Sequence, residues 1–149
     1  MKLFKMTPLL AALMLAFIST ASATTGWLTD FAAAKAKAAA EGKAMLLDFT
    51  GSDWCGWCIR LDKEVFSQDS FQAFAENELV LVELDFPRKK DQSASLKAQN
   101  EALLQEYGVR GFPTIVVLSS TGELLEKTGY RKGGPEAYVD HIKEILAAH

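Results

Sequence analysis

The chain has only two cysteines, and they stand three positions apart in Asp53-Trp54-Cys55-Gly56-Trp57-Cys58. A thiolate attacks a disulfide sulfur to form a mixed disulfide, and a second thiol within reach of the same sulfur resolves it. Three-residue spacing gives Cys58 that reach once a helix carries the pair. Ala44 to Thr50 is a short apolar run that reads as a buried strand, and Cys55 to Val65 reads as a helix. Cys55 then falls at a helix N-terminus, where unpaired N–H groups and the macrodipole favour a thiolate over a thiol. A purely structural bridge across so small a loop would stabilise little. A metal site would need further ligands, and only His141 and His149 exist, both toward the end of the chain. A Cys–His hydrolase fails for the same reason. Redox exchange is the chemistry expected, with no metal ion and no cofactor.

The elements that must position this pair alternate. Trp27 to Glu41 reads as an alanine-rich helix stopped by Gly42, followed by the 44–50 strand and the cysteine helix. Ser67 or Asp69 then caps a helix to about Glu76, and Leu79 to Asp85 forms the next strand. Residues 86–95 make a polar, basic loop opened by Pro87. A helix follows over Leu96 to Tyr107. Thr114 to Ser119 and Glu123 to Thr128 form a hairpin, and Gly134-Pro135 opens a last helix. The order implies an α/β domain with a mixed sheet of about four strands and helices on both faces.

Before this domain, Lys2 and Lys5 precede an apolar stretch from Leu9 to Ile18, and Ala21-Ser22-Ala23 closes it with small residues. This is the order of a secretory signal, with cleavage expected after Ala23. Residues 1–23 are then an address and 24–149 a single domain. The alternative is an uncleaved N-terminal anchor, since Met6 to Thr29 carries no charge, although its serines and threonines dilute it. The 149 residues less those 23 leave 126, enough to bury a core without a covalent staple. Export places the pair where disulfides persist. The net charge of −3 argues against a nucleic-acid partner.

Trp54-Cys55-Gly56-Trp57-Cys58 is similar to the Trp-Cys-Gly-Pro-Cys of thioredoxins, and Val109-Arg110-Gly111-Phe112-Pro113-Thr114 resembles their Gly-x-Pro-Thr loop. The likeness runs over about residues 44–148, through Gly129 and the closing helix. The LDFTGSDWCGWC opening and Phe66-Ser67 look closer to exported thioredoxin-like proteins, including the C-terminal domain of the membrane electron relay DsbD. The resemblance implies a thioredoxin fold. It implies Cys55 as attacking thiol, Cys58 as resolving thiol, and a cis Pro113 facing them. A cis proline there leaves the Phe112 backbone free to pair with a client as an added strand. Trp54, Trp57, Gly111 and Phe112 are the expected substrate-contacting residues.

Three departures mark this chain. Trp57 replaces the proline between the cysteines, adding surface but no charge. Asp48 resembles the buried aspartate that helps deprotonate the resolving thiol, yet it precedes Cys55 by seven residues, one more than in thioredoxins. A one-residue slip in a strand turns a side chain to the other face, so either a bulge restores Asp48 or it lies elsewhere. Glu83 on the neighbouring strand is then the other candidate. Finally, the 86–95 loop is long and borders the site if strands 44–50 and 79–85 are parallel, so Arg88, Lys89 and Lys90 could steer acidic partners.

The function expected is thiol–disulfide exchange on exported proteins by a monomer, in the reducing direction. Its partners would be disulfide- or dithiol-bearing exported proteins and a membrane relay of the DsbD kind that supplies electrons. The alternative is a thioredoxin-fold binding module without turnover, such as a chaperone or a metal-delivery protein.

Overall fold

The computed structural model describes residues 26–149, so the secretory-signal reading and the Ala23 cleavage site lie outside the described residues. The frame of the domain is β2 (Ala44–Thr50), whose residues after Ala44 are all buried. Helices cover both sides of the sheet, so both faces of this strand are buried, which is why its sequence is a nearly continuous apolar run. β2 lies parallel to β3 (Leu79–Asp85) and antiparallel to β4 (Thr114–Leu118), which pairs with the edge strand β5 (Leu124–Thr128).

The sheet has five strands, in the order β1-β3-β2-β4-β5, one more than expected. The extra strand is β1 (Trp27–Leu28), parallel to β3, taken from the start of the stretch read as helix. Trp27 packs its ring 5.2 Å from Phe66, and this tertiary contact holds the segment extended. The helix proper, α1 (Phe31–Glu41), begins after Asp30, whose carboxylate accepts the Ala33 N–H at 3.0 Å.

One face of the sheet carries Leu46, Leu81, Ile115 and Val117 under the cysteine helix α2 (Gly56–Leu61), α3 (Asp69–Glu78) and α5 (Gly134–Ala147). The other carries Met45, Leu47, Phe49, Val82 and Val116 under α1 and α4 (Ala94–Glu106). The helix read as continuous from Cys55 to Val65 instead widens into a π-helical turn over Asp62–Phe66, closed by Ser67 N–H donating to the Asp62 carbonyl at 2.8 Å. That turn buries Val65 and Phe66 together with Cys58 and Leu61 of α2. Ser67 and Asp69 do not cap α3. The Ser67 hydroxyl bonds the Asp62 carboxylate, Gln68 occupies the cap position, and Asp69 is the first helical residue. α4 starts two residues earlier than read, because Ser93 accepts the Leu96 N–H.

Candidate active site

β2 delivers the chain at the rim of the sheet, and a tight turn over residues 51–54 carries it into α2. The Gly51 carbonyl accepts both the Trp54 and Cys55 N–H groups, at 3.2 and 2.8 Å. Gly51 is required by a close approach: a Cβ there would lie 2.5 Å from the Trp54 indole. Gly51→Ala is therefore expected to push Trp54 off its seat and cost about 1–3 kcal/mol, read as a lower urea midpoint with altered tryptophan fluorescence.

Cys55 is the N-cap residue of α2 and Cys58 lies one turn in, the two joined as a disulfide with Cα atoms 5.2 Å apart. The Cys58 N–H donates to the Cys55 sulfur at 3.2 Å. The same amide would stabilise a Cys55 thiolate once the bond is reduced. Cys58 turns inward and lines a cavity of about 210 Å³ with Asp48, Thr50, Ser52, Ile59, Asp62 and Glu83. Cys55 is not part of that lining, so the two sulfurs have different surroundings.

The register of β2 resolves the Asp48 question in a way the sequence reading did not anticipate. Pairing with β3 runs without interruption from Ala44 to Thr50, and pairing with β4 from Met45 to Phe49, so β2 contains no bulge. The additional residue is absorbed in the 51–54 turn. Asp48 keeps its place on the Leu46 face, under α2, and reaches the Cys58 cavity. Glu83 is its direct neighbour on β3, so the structure brings both carboxylates together rather than choosing one. A third, Asp62, joins them from the π-helical turn. Sequence reasoning missed Asp62, although its position four residues after Cys58 was a signal, since i and i+4 share a helix face.

Asp48 is buried, and among the described residues its Oδ1 has no hydrogen-bond partner. Burial pushes its carboxyl well above the usual range, and the nearby Glu83, Asp62 and Asp85 push in the same direction. Glu83 is also raised, first by burial and then by Asp85, with Lys90 opposing.

The Phe112–Pro113 peptide is cis. The Thr114 hydroxyl donates to the Gly111 carbonyl at 2.7 Å, and Gly129 packs so closely that a Cβ would lie 3.2 Å from the Pro113 carbonyl. A Cβ at Gly111 would meet nothing within 4 Å, so that side of the loop is open. Among the described residues no hydrogen bond engages the Phe112 N–H or C=O. The Phe112 side chain itself packs into the structure, edge-on to Trp54 at 5.9 Å and against Phe86 at 5.1 Å.

Trp54 lies between the cysteine turn and the 86–93 loop, its indole N–H donating to the Phe86 carbonyl at 2.8 Å. Asp53 anchors the same loop by accepting the N–H groups of Arg88, Lys89 and Lys90 at 2.9, 2.7 and 3.1 Å, and these donors hold its carboxyl below the usual range. Trp57 is 53% exposed on the opposite flank, its ring 5.0 Å from Tyr130.

A mixed sheet with a cysteine pair at the N-terminus of the helix after β2, and a cis-proline immediately before β4, defines a thioredoxin-fold thiol–disulfide oxidoreductase. The chain belongs to the thioredoxin-like domain family, which it matches over residues 31–143. It is 36% identical over 126 residues to the disulfide bond reductase DsbH of Chlamydia pneumoniae, covering 85% of this chain and 75% of that one. A solved DsbH oxidoreductase superposes with a TM-score of 0.79 at 33% identity, covering 93% of this chain and 96% of the other. The thiol:disulfide interchange protein DsbD of Yersinia pestis is 35% identical over 85 residues, 57% of this chain, but the match spans only 13% of DsbD.

Proposed function

We propose that this chain is an exported reductase of protein disulfides. The Cys55 thiolate attacks one sulfur of a client disulfide, forming a mixed disulfide and releasing the other client sulfur as a thiolate. The Cys58 thiolate then attacks the Cys55 sulfur, the second client thiolate leaves, and the Cys55–Cys58 disulfide takes its place. Two electrons pass to the client, and a dithiol donor, of the kind a DsbD-type membrane relay supplies, restores the reduced chain. Asp48 accepts the proton of Cys58 in the resolving step, and Glu83 and Asp62 beside it raise its basicity toward that of a thiol. Trp54, Trp57, Gly111 and the Phe112 backbone receive the client as an added strand along the cis-Pro113 loop.

The observation that carries this reading is the inward Cys58 sharing a cavity with an unpartnered, buried Asp48. The reducing direction is supported by the relative named a disulfide bond reductase. The signal-like residues 1–23 support work outside the cytoplasm, on disulfide-bearing exported proteins. Equilibration with glutathione tests the direction. A reductase is expected to remain in its disulfide form even at high ratios of reduced to oxidised glutathione, because its potential lies below the glutathione couple. A chain already reduced at low ratios would instead be an oxidant.

A further inference from the structure

The chain carries net negative charge, yet one flank of the Cys55–Cys58 turn is cationic. The 86–93 loop presents Arg88, Lys89 and Lys90, all exposed, and Arg110 stands just before Gly111. Asp53, beside this cluster, has both oxygens turned to the loop's own amides. The loop is therefore held in place by its backbone, and the Lys90 ammonium adds a hydrogen bond to the Ser52 hydroxyl at 3.0 Å. Arg88 lies flat on Trp54, its guanidinium carbon 3.6 Å from the ring centroid. Stacking uses the face of a guanidinium and leaves its N–H edges open for a bidentate carboxylate. Among the described residues the ion pairs are Glu41–Lys43, Arg60–Glu64 and Asp140–Lys143, so none of Arg88, Lys89, Lys90 and Arg110 is paired.

The opposite flank differs. Arg60 lies over both Trp57 and Tyr130, but Glu64 neutralises it at 2.7 Å and also accepts the Tyr130 hydroxyl at 2.6 Å. What remains there is an exposed aromatic surface. The two aromatic platforms beside the cysteine turn thus differ: Trp54 carries Arg88, which is in no ion pair, whereas the arginine over Trp57 and Tyr130 is neutralised by Glu64.

We propose that the site selects clients by charge: an acidic side chain flanking the client's reactive cysteine pairs with Arg88, while an apolar residue on the other side rests on Trp57 and Tyr130. This inference rests on the oxidoreductase reading and specifies its substrate class. Lys89 and Lys90 add attraction at longer range, which raises the encounter rate and fades with salt.

The test follows the rate at which the reduced chain is oxidised by otherwise identical peptide disulfides bearing Glu, Gln or Lys on either side of the cysteine. On one side of the cysteine, Glu is expected to outpace Lys by about fivefold or more, the order an accessible ion pair supports. The ratio should shrink at about 0.5 M salt. In Arg88→Glu the order should invert, and because the readout is a ratio within one variant, changes in cysteine reactivity cancel. Lys89→Glu, which should flatten the ratio, serves if Arg88→Glu fails to fold. An unchanged ratio in these variants overturns the proposal. So does an Arg88-dependent affinity for phosphatidylglycerol vesicles with no preference among peptides, which would assign the patch to a lipid surface. Failure of the wild-type chain to react with any peptide disulfide overturns the oxidoreductase reading instead.

Discussion

Replacing Cys58 by serine is expected to lower turnover at least about a thousandfold while leaving a covalent adduct between Cys55 and its client. Cys55, the N-cap residue of α2, can still attack, but no thiol remains to displace it. The adduct should appear on a non-reducing gel as a band that a dithiol removes, and mass spectrometry should place the bond on Cys55. Cys55→Ser is expected to abolish turnover and adduct alike. Its fold should survive, because serine is among the best N-cap residues and can accept the Cys58 N–H that now meets the sulfur. A non-catalytic binding module makes the opposite prediction, namely client binding and cellular function undiminished in Cys55→Ser.

The second large effect concerns Asp48. Its folded-state carboxyl titrates well above the ordinary value of 3.8, so between that value and its folded one the folded chain holds a proton that the unfolded chain has released. The stability this group contributes is complete below about pH 3.8 and is lost as the pH rises through its folded value. At neutral pH the wild type therefore carries a cost that a neutral side chain would not. Asp48→Asn is expected to gain about 1–3 kcal/mol of stability at neutral pH, with Asp48→Leu as the fully apolar comparison. The advantage should close toward acid, and urea midpoints measured across pH would show it. Activity should move the other way. Resolution of the mixed disulfide is expected to slow about a hundredfold, because the base that takes the Cys58 proton is gone. Greater stability joined to slower resolution distinguishes a proton acceptor from a packing residue, whose loss would lower both. An Asp48→Asn chain of unchanged resolving rate would remove Asp48 from the reaction.

The parts of the fold visible in the sequence were those with a local cause. β2 and β3 read correctly because strands buried on both faces are continuous apolar runs. α5 read correctly from Gly134-Pro135 and from the helical spacing of Tyr138, Ile142 and Ile145, all buried. β1 did not, since two residues are too short a run to carry a strand signal and are extended by β3 and Phe66. The π-helical turn was equally hidden, because its wider hydrogen bonding answers to the packing of Val65 and Phe66. Asp48 was judged by its distance along the chain from Cys55, a measure that counts the turn as though it were strand.

By itself the sequence determined the reactive pair, its placement between a strand and a helix, and the thioredoxin-like order of elements, since cysteine spacing and hydrophobic period are local properties. Only the tertiary structure decided how three carboxylates distant in sequence, Asp48, Asp62 and Glu83, meet behind Cys58. It also decided that the 86–93 loop is pinned by Asp53 beside Trp54 rather than left free in solvent. Cross-strand register and loop anchoring set those distances, and both are fixed by partners far away along the chain.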